Sequence, residues 1–296
     1  MPAEKNSPKV IAIVLNWNRP DDTGRCVQSL LQSDYPNLHI LVVDNGSQLD
    51  LFEKLSQQLT QVEIIRNESN LGFAEGNNRG LRIALEQAAD YALVLNNDTI
   101  VDSTMVSRLV KAAEKDPSLW LLGPVIYYLD RPEEVWFAGY RFKYSIYVLR
   151  RGLRLARPLK EVERVDFVSG CGILIRRSVL TQVGLFSPDY FMYYEDLDLC
   201  FRVKAAGFGI ACVPDARMWH AVSVSSGGPD SPIKQYYQVK SSFIFYRKYF
   251  RGLKFGINIT LRFGHAFFIL LKNIFMNRMS LEAIKMFIRG MKEGWR

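Results

Sequence analysis

Three carboxylates stand within four positions in FMYYEDLDLCFR, residues 191–202, with aromatics before them and apolar residues after. Asp and Glu are seldom buried unless something pairs with them or uses them. Asp198 lies four residues before Arg202, an ion-pair spacing on a helix, and acids in a first helical turn complement the dipole. That accounts for Asp198 alone. Glu195 and Asp196 come straight after the run Phe191-Met192-Tyr193-Tyr194, an aromatic wall on which a sugar ring packs. A carboxylate beside such a wall takes the proton from an attacking hydroxyl. Asp196 is therefore read as the general base, Glu195 as the acid that holds the acceptor or orients the base, and Tyr194 as part of the sugar-binding wall.

Other polar groups cluster at predicted strand ends, where open parallel sheets bind ligands. Asn96-Asn97-Asp98 offers hard oxygen donors: Asp98 can bind a divalent cation directly, and Asn96 or Asn97 through an amide oxygen or a water. A cation there neutralises a nucleoside diphosphate as a glycosidic bond breaks, although the same tripeptide also suits the start of the helix DSTMVSRLV. His220, one of three histidines, can supply a second ligand, and its nitrogen favours Mn²⁺ over Mg²⁺; a lone His is also a common hydrogen-bonded structural residue. Asp44-Asn45-Gly46-Ser47 is turn chemistry. Its acid can also accept from a uracil or thymine imide or a ribose hydroxyl, with Trp17 of Leu15-Asn16-Trp17 packing on the base. GFAEGNNRG, residues 72–80, places Gly72 and Asn77 where the first amides of a helix can hold diphosphate. Gly170, Cys171 and Gly172 either bring backbone close to the sugar or mark tight strand packing.

The elements that must position these groups follow from periodicity. VIAIVL (10–15), LHILVVD (38–44), VEIIR (62–66) and YALVL (91–95) are short, β-branched runs. Between them lie helical patterns: PDDTGRCVQSLLQS, DLFEKLSQQL and AEGNNRGLRIALEQAA. This alternation predicts βαβ crossovers and an α/β, Rossmann-like, mostly parallel central sheet with helices on both faces. Past Asp98 the rhythm weakens, to a helix near 103–115, a strand near 119–128 and a basic, aromatic stretch over 131–158. Strand character then resumes in VDFVSGCGILIRR (165–177), followed by the helix EDLDLCFRVKAAGF closed by Gly207 and a short strand GIACVP. The reading divides the chain into a catalytic domain over 1–232, with a nucleotide-sugar half near 10–100 and an acceptor half near 101–232, and a helical extension over 233–296.

At 296 residues, with 48% hydrophobic and 23% charged side chains, the chain can close a sizeable core and is not a disordered protein. Its net charge of +8 is unevenly spread: residues 233–296 hold 13 Lys+Arg against 2 Asp+Glu, whereas residues 1–232 hold 25 against 28. The basic tail is also rich in Phe, Ile, Leu and Met, a mixture suited to an anionic lipid surface and not to nucleic acid. INITLRFGHAFFILLKNIFM is about the ~20 residues that span a bilayer, but Arg262, His265 and Lys272 interrupt it. Amphipathic helices over 252–296 lying in the membrane interface fit this, as does a tail packed on the core or on a dimer partner. Four scattered cysteines without a CxxC pair, and an N-terminus without an apolar run, point to reduced thiols in a cytoplasmic protein on the inner face of the cell membrane.

Taken together, VLNWNRPDDTGRCVQSLLQSDYP, LVVDNGS, NLGFAEGNNRG, VLNNDT, DFVSGCGILIRRSVL, VGLFSPDYFMYYEDLDLCFRVKAAGF and the later His resemble the family 2 glycosyltransferases of GT-A fold, in their rhamnosyltransferase-like branch. The resemblance runs from Val10 to about Ser226. It implies inverting transfer from a nucleotide-diphosphate sugar (a dTDP- or UDP-sugar) to a glycan or polyprenyl-linked acceptor, with Mn²⁺ or Mg²⁺. It implies that Asp44 contacts base or ribose, Asp98 and His220 hold the metal, and Asp196 is the base. Many members have Asp-x-Asp where this chain has Asn96-Asn97-Asp98, which implies a weaker metal site, and Leu15 stands where some relatives have a small polar residue. Two rivals remain in other classes. A sugar nucleotidyltransferase would release pyrophosphate, and it lacks here a basic, Gly-rich signature near the N-terminus. A non-catalytic nucleic-acid-binding or membrane-binding protein would use the basic tail alone.

Overall fold

The computed structural model describes residues 7–141, 161–222, 231–275 and 281–295. Strands β1 (Val10–Asn16), β2 (Leu38–Asp44), β3 (Glu63–Arg66) and β4 (Tyr91–Asn96) pair in parallel in the order β3-β2-β1-β4. Side chains alternate across a strand, and in β1 both faces are buried. Val10, Ala12 and Val14 join Cys26, Val27 and Leu30 of α1 (Pro20–Leu31) and Leu55 of α2 (Leu49–Gln58). Ile11 and Ile13 join Ala74 and Leu81 of α3 (Gly72–Glu86). Register Asn16↔Asp44 and Leu15↔Asn96 brings the polar ends of β1, β2 and β4 to one rim.

The second half makes the sheet mixed. After β5 (Thr99–Val101) and α4 (Met105–Lys115) come β6 (Leu119–Tyr128), β7 (Val135–Phe137) and β8 (Glu163–Val165). β9 (Gly172–Arg176) inserts antiparallel between β4 and β6. It is followed by α5 (Arg177–Gln182), α6 (Glu195–Ala205) and β10 (Gly209–His220), which runs parallel to β6 and antiparallel to β5. Two expectations change in detail. The strand read over 165–177 is two strands, β8 and β9, which pair with different neighbours, β10 and β4. GIACVP is only the first half of β10: the register jumps from Val213 to Arg217, a bulge that accommodates Pro214, and the strand then continues to His220. The basic, aromatic stretch lies outside the described residues from 142 to 160.

Three helices follow: α7 (Pro232–Tyr249), α8 (Gly252–Phe275) and α9 (Leu281–Trp295). The expected extension is helical, but its first helix is built into the catalytic unit, since Tyr190 and Leu197 share one buried cluster with Val239, Phe243, Phe245, Tyr246, Ile259 and Phe287. A fully buried side chain of this size is worth about 1.5–3 kcal/mol, whereas ion pairs in solvent contribute little, so apolar packing seats α7. α9 lies close on it, because a Cβ at Gly290 or Gly294 would stand 2.5 and 2.6 Å from the carbonyl oxygens of Tyr236 and Lys240. All four cysteines are free and buried.

Candidate active site

A buried polar chain joins the tips of β2, β1 and β4. Asp44 has no exposed surface: Oδ1 accepts from Asn16 Nδ2 at 2.7 Å and from Ser47 Oγ, Oδ2 accepts from the Ser47 N–H at 3.2 Å, and Arg66 Nε stands 3.4 Å away. Asn16 Oδ1 accepts from Thr23 Oγ1 at 2.8 Å, and Thr23 Oγ1 accepts from Asn97 Nδ2 at 3.0 Å. Buried polar groups need such partners, and here the protein supplies them. As they stand, Asp44, Asn16 and Asn97, expected to bind the nucleotide sugar, hydrogen-bond to one another or to Ser47 and Thr23 and brace the strand ends. At the same corner the Trp17 ring is 45% exposed and Leu15 is half-buried, so these two remain open to a base.

The first turn of α3 is likewise committed. Gly72 takes φ +79°, and a Cβ there would stand 2.4 Å from the Phe191 carbonyl oxygen, so only glycine fits. The N–H groups of Leu71, Gly72 and Phe73 donate to Asn45 Oδ1, Asn70 Oδ1 and the Phe191 carbonyl, at 3.1, 2.8 and 2.7 Å. Asn45 also donates through Nδ2 to Asn70 Oδ1 and the Gly72 carbonyl, each at 3.0 Å. The amides expected to hold diphosphate at Gly72 thus have protein acceptors in this structure, and Asn45, expected to bind the nucleotide sugar, hydrogen-bonds to the same loop. Asn77 is buried; its Nδ2 donates to the Phe73 carbonyl, and its Oδ1 has no partner.

Asp98 and His220 do meet. The antiparallel ladder places His220 opposite Thr99, and His220 Nε2 lies 3.1 Å from Asp98 Oδ1. Both residues are buried, yet neither Asp98 oxygen nor His220 Nδ1 has a hydrogen-bond partner. A buried carboxylate left so is costly unless something else binds it. An oxygen and a nitrogen donor side by side fit a divalent cation whose remaining positions are filled by substrate and water. No third His, Cys, Asp or Glu joins them among the described residues.

Asp196, on the first turn of α6, is half-buried; its Oδ2 accepts from the Gly170 N–H at 2.9 Å and its Oδ1 from the Leu197 N–H at 2.8 Å. The next residue, Cys171, accepts at its carbonyl from the Asn96 N–H at 3.0 Å, so two residues of backbone connect the Asp196 carboxylate to the tripeptide bearing Asp98. A Cβ at Gly170 would stand 3.3 Å from both Asp196 Cβ and Phe73 Cε1, which brings the first turn of α3 to the same place. Gly172 serves packing, against Met218. Burial raises the Asp196 carboxyl above the usual range, with the Gly170 and Leu197 amides opposing. Burial, and then the charge of Asp196, pushes Glu195 well above it, and Glu195 Oε2 has no partner. The Tyr194 ring, expected in the sugar wall, packs beside Phe245 of α7, centroids 5.5 Å apart. The expected ion pair is present, with Arg202 Nε 2.7 Å from the fully buried Asp198. Sequence reading gave no role to Thr23 and Asn70 and read Ser47 only as turn chemistry, yet all three hold the strand tips. The signal for Ser47 and Asn70 was the density of polar residues after the strands; Thr23, inside α1, had none.

A family model described as glycosyltransferase-like family 2 matches residues 8–237. The dTDP-rhamnosyl transferase RfbF of Shigella flexneri is 26% identical over 222 residues, covering 72% of this chain and 72% of that protein. The N-acetylglucosaminyl-diphospho-decaprenol L-rhamnosyltransferase of Mycobacterium tuberculosis is 29% identical over 247 residues, covering 75% and 78%. Among solved structures, the mannosyltransferase PcManGT of Pyrobaculum calidifontis in complex with GDP-Man and Mn²⁺ superposes with a TM-score of 0.60 at 15% identity. That match covers 82% of this chain, which spans 64% of the mannosyltransferase. The fold is that of the GT-A glycosyltransferases.

Proposed function

The chain belongs to the glycosyltransferase-like family 2, and on that premise we propose an inverting, metal-dependent transferase that moves a hexose, rhamnose first among candidates, from a dTDP- or UDP-linked donor. The acceptor is a hydroxyl of a glycan or of a polyprenyl-linked sugar. Asp196 removes the proton of that hydroxyl. The oxygen then attacks the anomeric carbon from the face opposite the nucleoside diphosphate, whose bond to the sugar breaks, so the product has inverted configuration. Asp98 and His220 would hold a divalent cation, and such a cation supplies charge neutralisation for a departing diphosphate. Support comes from the unpartnered Asp98 and His220 atoms and from the Mn²⁺ of the mannosyltransferase structure. The donor and acceptor classes follow the printed names of the rhamnosyltransferase relatives.

The observation that carries the reading is the short path Asp196–Gly170–Cys171–Asn96, which supports pairing the proposed base with the proposed cation ligands Asp98 and His220. The extension adds a lipid surface as partner. Leu253, Phe267 and Phe268 of α8 are 81%, 60% and 63% exposed, in a segment with excess positive charge, and no helix among the described residues is long and apolar enough to cross a membrane. The test is nucleoside diphosphate release from a panel of dTDP-rhamnose, UDP-glucose, UDP-galactose and UDP-N-acetylglucosamine with Mn²⁺. Release from at least one, abolished by chelation and by Asp98→Ala, is expected. Release that ignores both would remove the metal-dependent reading.

A further inference from the structure

Two consecutive non-glycine residues, Tyr193 and Tyr194, take left-handed backbone angles, φ 68° and 73°, directly before the helix that carries Asp196. L-residues enter that region rarely, and a pair in succession persists only where the surroundings hold it. Two of the holding contacts come from α7. Ser241, itself buried, donates from Oγ to the Met192 carbonyl at 2.8 Å. The Tyr237 ring stacks on Phe191, centroids 4.7 Å apart and planes 16° from parallel. A third contact comes from α3, where the Phe73 N–H donates to the Phe191 carbonyl at 2.7 Å. The turn at residues 191–194 is thus gripped between α3 and α7, and the residues it delivers are Glu195 and Asp196.

We propose that α7 is a positioning element of the active site: Ser241 and Tyr237 lock the turn in its left-handed form and so keep Asp196 on the Gly170 amide. This rests on the reading of Asp196 as the base. Neither residue needs to touch substrate, since the effect passes through the backbone of residues 191–194. Displacing a base by about 1 Å costs rate far more than it costs binding. Releasing the grip lets the turn relax toward ordinary angles and carries Asp196 with it, while a nucleotide held at Asp98 and His220 binds as before. The C-terminal helices then set the catalytic step, not only the location of the protein.

The test compares Ser241→Ala, Ser241→Thr and the double variant Ser241→Ala/Tyr193→Asn, with Asp196→Asn alongside. Three quantities are read: kcat for dTDP-rhamnose turnover, dTDP–Mn²⁺ affinity by calorimetry, and amide exchange over residues 190–197. S241A is expected to lower kcat about tenfold or more with dTDP affinity within about twofold, a split that general loss of structure would not give. Exchange should quicken in 190–197 and not in α1. S241T should restore kcat, and Tyr193→Asn should recover part of it, because Asn tolerates the left-handed region. Full kcat with unchanged exchange in S241A, or kcat and dTDP affinity falling together, overturns the proposal. Normal turnover in D196N removes the base reading and the clamp with it. An inactive D196N beside a fully active S241A leaves the base reading standing and removes the clamp alone.

Discussion

Glu195 and Asp196 are neighbours in the chain but sit in different environments. Asp196 has two amide donors and Glu195 Oε2 has none, and burial raises both. A carboxyl whose folded pKa lies above its unfolded value favours folding when protonated, and that contribution is lost as pH rises through the folded pKa. Glu195→Gln should therefore raise Tm relative to the parent by an amount that grows from pH 5 to pH 8, reaching about 2–4 °C for ~1 kcal/mol, while lowering turnover. A Tm difference that is flat across this range, or that shrinks, would show Glu195 ionised at no cost. The same burial places the acid limb of the turnover–pH profile above the ordinary carboxylate range, because the proposed base works only when ionised. Residue type and place made Asp98, Asp196 and His220 legible as candidates. The same signal marked Asp44, Asn16 and Asn45, but not the network these form with Thr23, Ser47 and Asn70, because partners far apart in the chain are set by the fold.

At the scale of elements, β1 to β4 and α1 to α3 were readable because periodicity dominates there, and their misplacements come from single residues. α3 starts at Gly72, two residues earlier than the apolar pattern, because glycine accepts φ +79° and Asn70 supplies a cap acceptor. β10 outlasts Pro214 because a bulge takes the proline out of the ladder. α6 is fastened by a group the sequence did reveal. Asp198 accepts from Arg202 Nε at 2.7 Å and Tyr249 Oη at 2.8 Å, and Lys248 Nζ lies 2.9 Å away. Asp198→Asn leaves Arg202 without its carboxylate, while Lys248 keeps Asp189 at 3.4 Å. Because Arg202 and Lys248 keep access to water, the expected loss is about 3 kcal/mol, the low end for breaking a buried pair, read as a lower urea midpoint at unchanged slope. An unchanged midpoint would mean that hydrogen bonds to this side chain from Tyr249 and from Tyr190 Oη, at 2.8 and 3.4 Å, suffice to hold α6.

On the scale of the whole molecule, the charge split at residue 233 was legible, but the destination of the tail was not, since a basic, apolar helix suits a core, a partner or a lipid surface equally. Packing divides the segment: α7 and α9 close on the catalytic unit, and α8 leaves Leu253, Phe267 and Phe268 outside. Replacing these three by Ser should abolish flotation with vesicles containing anionic lipid while leaving donor turnover within about twofold, at ~1.5–3 kcal/mol of lost burial per side chain. Retained flotation would move the lipid contact elsewhere. Everything proposed depends on residues from four parts of the chain acting as one site at the rim of the sheet. The most direct measurement is transfer from dTDP-rhamnose to a polyprenyl-diphosphate-linked N-acetylglucosamine by the parent and by Asp196→Asn, with dTDP–Mn²⁺ affinity read on both. The expected result is an inverted product from the parent and, in D196N, a loss of rate on the order of 10²–10⁴ with affinity held within about twofold. Parental transfer rates in D196N, or a product of retained configuration, would contradict it.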